Sequence, residues 1–192
     1  MSFLNDNELR DFGLASYGRN VLISRKCSIY GADRIEIGDD VRIDDFCVLS
    51  AGNDGIKIDS YVHVAVYSLI IGRAAIRISA FANISSRVSI YSSSDDYSGA
   101  HMTNPMVSKN YTGVKHRPVN IGRHAIIGSG SIVLPGVNVD DGVAIGALSL
   151  VNKDCEAFGI YAGIPVKRKG ERKRDLLDLE RDFLASRVDP KI

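Results

Sequence analysis

The sequence predicts an all-β protein, a parallel β-helix of hexapeptide repeats, and two features of one stretch carry that prediction. From Val119 to Val151, aliphatic residues stand at Ile121, Ile127, Val133, Val139, Ile145 and Val151, each six residues from the next. Mostly smaller residues, Ala125, Ser131, Val137, Val143 and Ser149, recur between them at the same interval. Helices repeat at about 3.6 residues and simple strands at about 2, so neither produces this period. A repeat of six lays down one short strand and one corner per hexapeptide. The aliphatic side chain fills the interior and the small residue lets the corner close. Gly122, Gly128 and Gly146 supply corner backbone free of a Cβ. With three hexapeptides to a coil, Ile121 is expected to stack on Val139.

The rest of the chain follows in order. Its 192 residues suit one domain with a large core. A formal charge of +1 argues against a nucleic-acid or membrane-surface partner. Cys27, Cys47 and Cys155 are odd in number and lack CxxC spacing, which fits a reduced, cytoplasmic chain. Cys27 and Cys47 occupy interior repeat positions. The N-terminus lacks the pattern of a signal peptide, and no apolar run approaches the length of a membrane span. Residues 1–20 do not follow the repeat. Within them NDNELRDF, capped by Asn5 or Asp6, reads as a short helix whose Leu9 and Phe12 cover the open end of the prism; a disordered tail is the alternative.

The β-helix domain is expected over 21–165. Ile23, Cys27, Ile29 and Ile35 open it, and the next coils place Ile37, Val41, Ile43, Cys47 and Leu49, then Ile58, Val62, Val64, Ser68 and Ile70, then Ile78, Ala82, Ile84, Val88 and Ile90. These early coils are longer than three hexapeptides, so each carries extra residues at a corner; AGNDG (51–55) reads as one such bulged turn. Roughly six coils result. Each buried aliphatic contributes about 1.5–3 kcal/mol, so the rod needs no metal or disulfide. Between coils the repeat stops over 91–118, a polar stretch holding Gly, Pro, His101 and His116. A long irregular insertion in a stiff solenoid is where an active site is expected. Residues 166–192 hold a basic run (Lys167, Arg168, Lys169, Arg172, Lys173, Arg174), which reads either as a solvated face or as an anion site. A helix follows, with Leu176, Leu179 and Phe183 on one face and Leu177 and Leu184 widening it.

The hexapeptide array, the interrupting loop and the ending YAGIPVKR resemble the bacterial hexapeptide acyltransferases, in particular the galactoside and maltose acetyltransferase branch. SIYSSSDDYSG, YVHVAVY and FGIYAGIPVKRKGERKRDLLDLERDFL are more narrowly similar to enzymes that N-acetylate nucleotide-linked amino sugars for surface polysaccharide or lipopolysaccharide. The resemblance implies a left-handed β-helix, a homotrimer with active sites between subunits, and acetyl-CoA as donor. It implies donor contacts from the backbone at Ser129 and Ala147, from Asn152 and Lys153, and from Lys167 and Arg168. Small corner residues are the alternative reading of Ser129 and Ala147.

For the acceptor side, counting along the coil carries the family's catalytic histidine onto Asp95, and counting back across the loop carries it near His101. His63, one coil earlier, matches an acceptor-contacting position. A sugar hydroxyl needs a base poised near neutrality, whereas a neutral sugar amine attacks a thioester with less help. Asp95 with His63 therefore fits N-acetylation better than O-acetylation. Asp96, Tyr97 and Asn83 are candidate substrate contacts, with Ser86 and Asn83 able to serve the oxyanion or only the corners. His116 and His124 read as surface residues. No cysteine stands in a nucleophile setting, which favours direct transfer. Two rivals of other classes remain: a zinc hydratase on the same solenoid, which the eight-residue gap between His116 and His124 disfavours, and a non-catalytic scaffold.

Overall fold

The computed structural model describes residues 2–188. They form a left-handed parallel β-helix with three faces. The first face stacks Ser16–Tyr17, Ile35–Ile37, Ile56–Ile58, Ile76–Ile78, Val119–Ile121 and Asn138–Val139. The second stacks Leu22–Ile23, Arg42–Ile43, His63–Val64, Asn83–Ile84, Ile126–Ile127, Ala144–Ile145 and Gly159–Ala162, and ends in the antiparallel strand Lys167–Glu171. The third stacks Ser28–Tyr30, Val48–Ala51, Leu69–Gly72, Ser89–Tyr91, Ile132–Val133 and Leu150–Val151. Six full coils result, as the period implies, and Ile121 pairs with Val139.

Registers explain why the aliphatics recur. Ile37, Ile58, Ile78, Ile121 and Val139 align coil on coil, and each is almost wholly buried. Buried serines fill the corners, where Ser68, Ser131 and Ser149 give their hydroxyls to backbone carbonyls of Ser85 and Gly146. No buried side-chain polar atom among the described residues lacks a partner.

The extra residues of the early coils all lie at one corner, between the third and first faces. It takes up the 3₁₀ turn Ala32–Arg34, the bulge around Gly52–Gly55 and finally the whole of the loop after Tyr91. Arg34 holds the bulge by donating to the carbonyls of Ala51 and Gly52 at 3.1 and 2.9 Å.

At the N-terminus, helix α1 (Asp6–Asp11) is capped by Asn5, whose side chain accepts from Asn7 and Glu8 while Glu8 accepts from the Asn5 N–H. Its Leu9 is buried against the first coil. At the other end helix α2 (Leu176–Val188) folds back along the outside of the prism. Its inward residues match the anticipated stripe only in part, at Phe183 and the half-buried Leu176 and Leu184. Leu179 is 66% exposed, whereas Glu180 is drawn inward to Arg123 and His124, Phe183 meets Tyr61 and Phe81, and Arg187 pairs with Asp40 at 2.9 Å. Charge pairing at the corner, which helical periodicity does not register, sets the rotation of the helix.

Candidate active site

Two corners of the prism are built alike, on residues held at positive φ. Between the first and second faces the column runs Asn20, Asp40, Tyr61, Phe81, His124. Between the second and third it runs Phe46, Tyr67, Arg87, Gly130, Leu148. Most of these residues donate their N–H to a carbonyl of the preceding coil, Tyr67 to Asp45 and Leu148 to Ser129 among them, which offsets the left-handed backbone. On the first corner Tyr61, Phe81 and His124 stack with ring centroids 4.6 and 5.0 Å apart, and Phe183 of α2 closes over them edge-on.

His124 is therefore no surface histidine. Its side chain is only 12% exposed, and it meets Glu180 at 2.5 Å. Burial, together with the neighbouring Arg123 and Arg172 guanidiniums, holds it below the ordinary histidine value. The imidazole is then neutral at pH 7 and donates Nε2–H to the Glu180 carboxylate.

The loop leaves the third face through Ser92, whose hydroxyl donates to the Ala74 carbonyl at 2.6 Å. Ser93–Ser94 pairs antiparallel with Lys115–His116, so the insertion stands out as a narrow arm. Asp96 closes its tip, accepting from the Ser98 N–H at 3.0 Å and hydroxyl at 2.8 Å, and from the His101 N–H and Nδ1 at 3.0 and 3.1 Å. Those bonds, the two from Ser98 foremost, hold the Asp96 carboxyl far below the usual range. His101 is thus tied by Nδ1 to Asp96, and its ring crowds Gly113, where a Cβ would lie 2.6 Å from Nδ1. Asp95 is exposed, and its carboxylate has no polar partner among the described residues. Tyr97 is almost fully exposed.

His63 and Asn83 stand next to one another on the outside of the second face, in paired register. Asp44, its side chain 8% exposed, receives His63 Nε2 at 2.9 Å and Arg42 Nε at 2.7 Å. Burial pushes the Asp44 carboxyl up, but the hydrogen bonds from Arg42 and His63 outweigh it and leave the group below its ordinary value. An ionised Asp44 accepts from Nε2 and so leaves Nδ1 of His63 as the free acceptor. Spacing alone did not single out Asp44. The signal available was a carboxylate in a corner column otherwise filled by Ser24, Ala65, Ser85, Gly128 and Gly146.

The three catalytic candidates are not brought together within one chain. His63 lies on the second face, whereas the arm carrying Asp95 and His101 leaves from the opposite corner, between the third and first faces. Of the donor candidates, Ser129 and Ala147 are exposed neighbours in one corner column that also holds Ser86. Asn152 and Lys153 lie at the next corner, across the third face. Lys167 and Arg168 are exposed on the terminal antiparallel strand opposite Ala162 and Tyr161, with Arg168 paired to Glu156 at 2.6 Å. All three thiols are pushed up by burial, Cys27 to about 12 and Cys47 and Cys155 to about 11, so none is a thiolate near neutrality. Among the described residues no group of His, Cys, Asp or Glu is arranged to hold a metal ion.

No family model matches the chain. It is 55% identical over 188 residues to the dTDP-4-amino-4,6-dideoxy-D-glucose acyltransferase of Escherichia coli, covering 98% of both chains. It also superimposes on AntD, an N-acyltransferase from Bacillus cereus, in complex with dTDP and 3-hydroxybutyryl-CoA, with a TM-score of 0.94, 43% identity and coverage of 98% and 99% of the two chains. A serine-to-cysteine variant of AntD bound to dTDP-4-amino-4,6-dideoxyglucose and coenzyme A gives a TM-score of 0.93 at 43% identity, covering 96% and 98%. The likeness in sequence and in backbone thus runs along essentially the whole length, and the chain belongs to the family of β-helix acyltransferases that act on nucleotide-linked amino sugars.

Proposed function

We propose that the protein transfers the acetyl group of acetyl-CoA to the amine of a dTDP-linked 4-amino-4,6-dideoxy sugar, in the building of a surface polysaccharide. The observation that carries this reading is the identity to the Escherichia coli acyltransferase, which runs through the loop and the C-terminal strands alike. Variants of AntD change one serine and, ten positions further on, one aspartate. Ser85 with Asp95, and Ser86 with Asp96, stand at that spacing here. Asp96 is spent on closing the loop tip, so Ser85 and Asp95 are the pair free to act.

The second face and the arm must then meet between copies. The outside of the third face supports this, for its outward row runs Ser28, Val48, Leu69, Ser89, Ile132 and Leu150, apolar at four of six coils and without charge. The first face instead carries Glu36, Lys57, Arg77, Asn120 and Asn138 outward. In a homotrimer with the third faces turned to the axis, the arm of each copy reaches the second face of the next. Asp95 would orient the amine and His63 Nδ1 would take its proton. The nitrogen lone pair attacks the thioester carbon, backbone N–H groups at the corner near Ser86 hold the oxyanion, and the C–S bond breaks to release CoA. Raised thiol values leave no acyl-cysteine route. Ser129, Ala147 and the basic residues Lys153, Lys167 and Arg168 would hold the donor, with Asn152 beside them. A reducing, cytoplasmic setting suits the free cysteines.

The test is mass spectrometry after incubation of acetyl-CoA with a panel of nucleotide amino sugars and simple galactosides. One acetyl group gained on the amine of the dTDP-linked amino sugar is the expected product; acetylation of galactosides alone refutes the reading.

A further inference from the structure

One carboxylate is buried where the fold asks for none. Among the described residues the buried polar side chains are serines, with Asp44 the single exception. The same corner position is filled by Ser24 on the coil before and by Ala65 on the coil after, and either closes the turn without a charge. Taking a carboxylate out of water costs free energy unless its oxygens are paired. Both are paired here: Oδ1 accepts from Arg42 Nε at 2.7 Å and Oδ2 from His63 Nε2 at 2.9 Å. Arg42 and His63 are register partners on adjacent coils, so the backbone presents both to the one carboxylate. Behind Arg42 stands the N-terminal segment. Leu4 donates its N–H to the Ile23 carbonyl at 2.8 Å and Phe3 bridges Ser24, which sets the Phe3 ring 5.5 Å from the Arg42 guanidinium. A segment outside the repeat thus reaches an outward histidine through three contacts, Phe3 to Arg42, Arg42 to Asp44 and Asp44 to His63.

Resting on the reading above in which His63 takes the amine proton, we infer that Asp44 is the positioning residue for His63, held in place by Arg42 and Phe3. Asp44 acts through His63, not on the substrate. By accepting from Nε2 it confines the ring proton to that nitrogen and limits rotation of the ring. The Nδ1 lone pair, which has no partner among the described residues, stays open to a proton. A carboxamide at this position does the reverse. With Arg42 on its oxygen, its NH2 faces Nε2 and drives the ring proton to Nδ1, the wrong tautomer for this base.

The test reads the tautomer directly. Two-bond nitrogen–proton correlation spectra of the histidine rings are recorded above neutral pH, with the His63 signals identified by their loss in His63→Gln. Wild type should show a protonated Nε2 and an unprotonated Nδ1 at His63. In Asp44→Asn that pattern should invert, and kcat should fall about 10- to 100-fold with little change in KM for the nucleotide sugar. Phe3→Ala, which removes the ring over Arg42 and keeps the carboxylate, should lower kcat about 2- to 5-fold; an unchanged kcat takes Phe3 out of the chain of contacts. A protonated Nδ1 in the wild-type spectrum overturns the proposal whether or not Asp44→Asn folds. So does an Asp44→Asn protein with the wild-type tautomer and kcat and only a lower melting temperature, which would make Asp44 a structural ion pair. His63→Gln separates the two layers. If it abolishes turnover while Asp44→Asn does not, the positioning role alone falls; if it turns over like wild type, the reading of His63 as base falls.

Discussion

The two aromatic corners share a backbone and differ in what covers them. Both hold bulky residues at positive φ and both run parallel to the axis. One is roofed by α2, which contributes Phe183 over Tyr61 and Phe81 and ties Arg187 to Asp40, some 147 residues away in the chain. The other is covered by no helix among the described residues, is flanked by Arg87, whose guanidinium has no polar partner among them, and holds the donor candidates Ser129 and Ala147. Identical local geometry is roofed in one case and left exposed in the other. The distinguishing feature is long-range cover, not the corner itself.

Removing a group away from the roofed corner that is proposed to act in transfer should cost activity and spare stability. Asp95→Asn removes the exposed carboxylate of the arm that is proposed to orient the amine, and kcat should fall about 100-fold with no change in melting temperature. A variant within a few-fold of wild type would remove Asp95 from the chemistry. The closed side should respond in the opposite sense. Phe81→Ala deletes the ring between Tyr61 and His124 and under Phe183, and urea titration should show a loss of about 2–3 kcal/mol with turnover per folded molecule kept. Phe46→Ala, the matching change on the open corner, should cost less than about 1 kcal/mol. Equal losses at the two sites would erase the distinction between them.

Smaller effects sharpen the role of α2. Glu180→Gln leaves Arg123 and His124 without their anion and should cost about 1–2 kcal/mol by denaturant titration. Acid should act through His124. Its folded value lies below the unfolded one, so the unfolded chain binds the proton first. Stability from this group is full above the ordinary histidine value near 6.5 and is lost as pH falls through it toward the folded value. His124→Phe should therefore show a smaller drop in melting temperature between pH 7.5 and pH 5.5 (assay conditions of roughly neutral and mildly acid buffer) than wild type does. An unchanged drop would place the acid sensitivity elsewhere.

Much of this architecture was legible in the sequence because its period is local and repeated. Every sixth side chain must be aliphatic for a short strand to face the interior, so Ile121, Ile127 and Val133 announce three faces without reference to distant residues. The break over 91–118 was visible for the same reason, as the place where the period fails. Less of the site could be read. Counting assigns Asp95 and His63 to coils, but counting along a chain does not say which side of a prism a residue faces. Asp96 and Asp95 are adjacent and chemically identical; only the turn at Ser98 and His101 shows that one carboxylate is spent and the other free.

The sequence by itself determined the β-helix, its coil number, its interior and the position of its one long interruption, since a six-residue repeat admits no other regular packing. Tertiary structure decided which corner α2 covers, how that helix is rotated, and that His124 is largely covered by α2 rather than open on the surface. It also decided that the arm and the second face lie on opposite sides of each chain. These are contacts between residues tens to hundreds of positions apart, selected by charge pairing and ring packing in three dimensions, and a one-dimensional period holds no record of them.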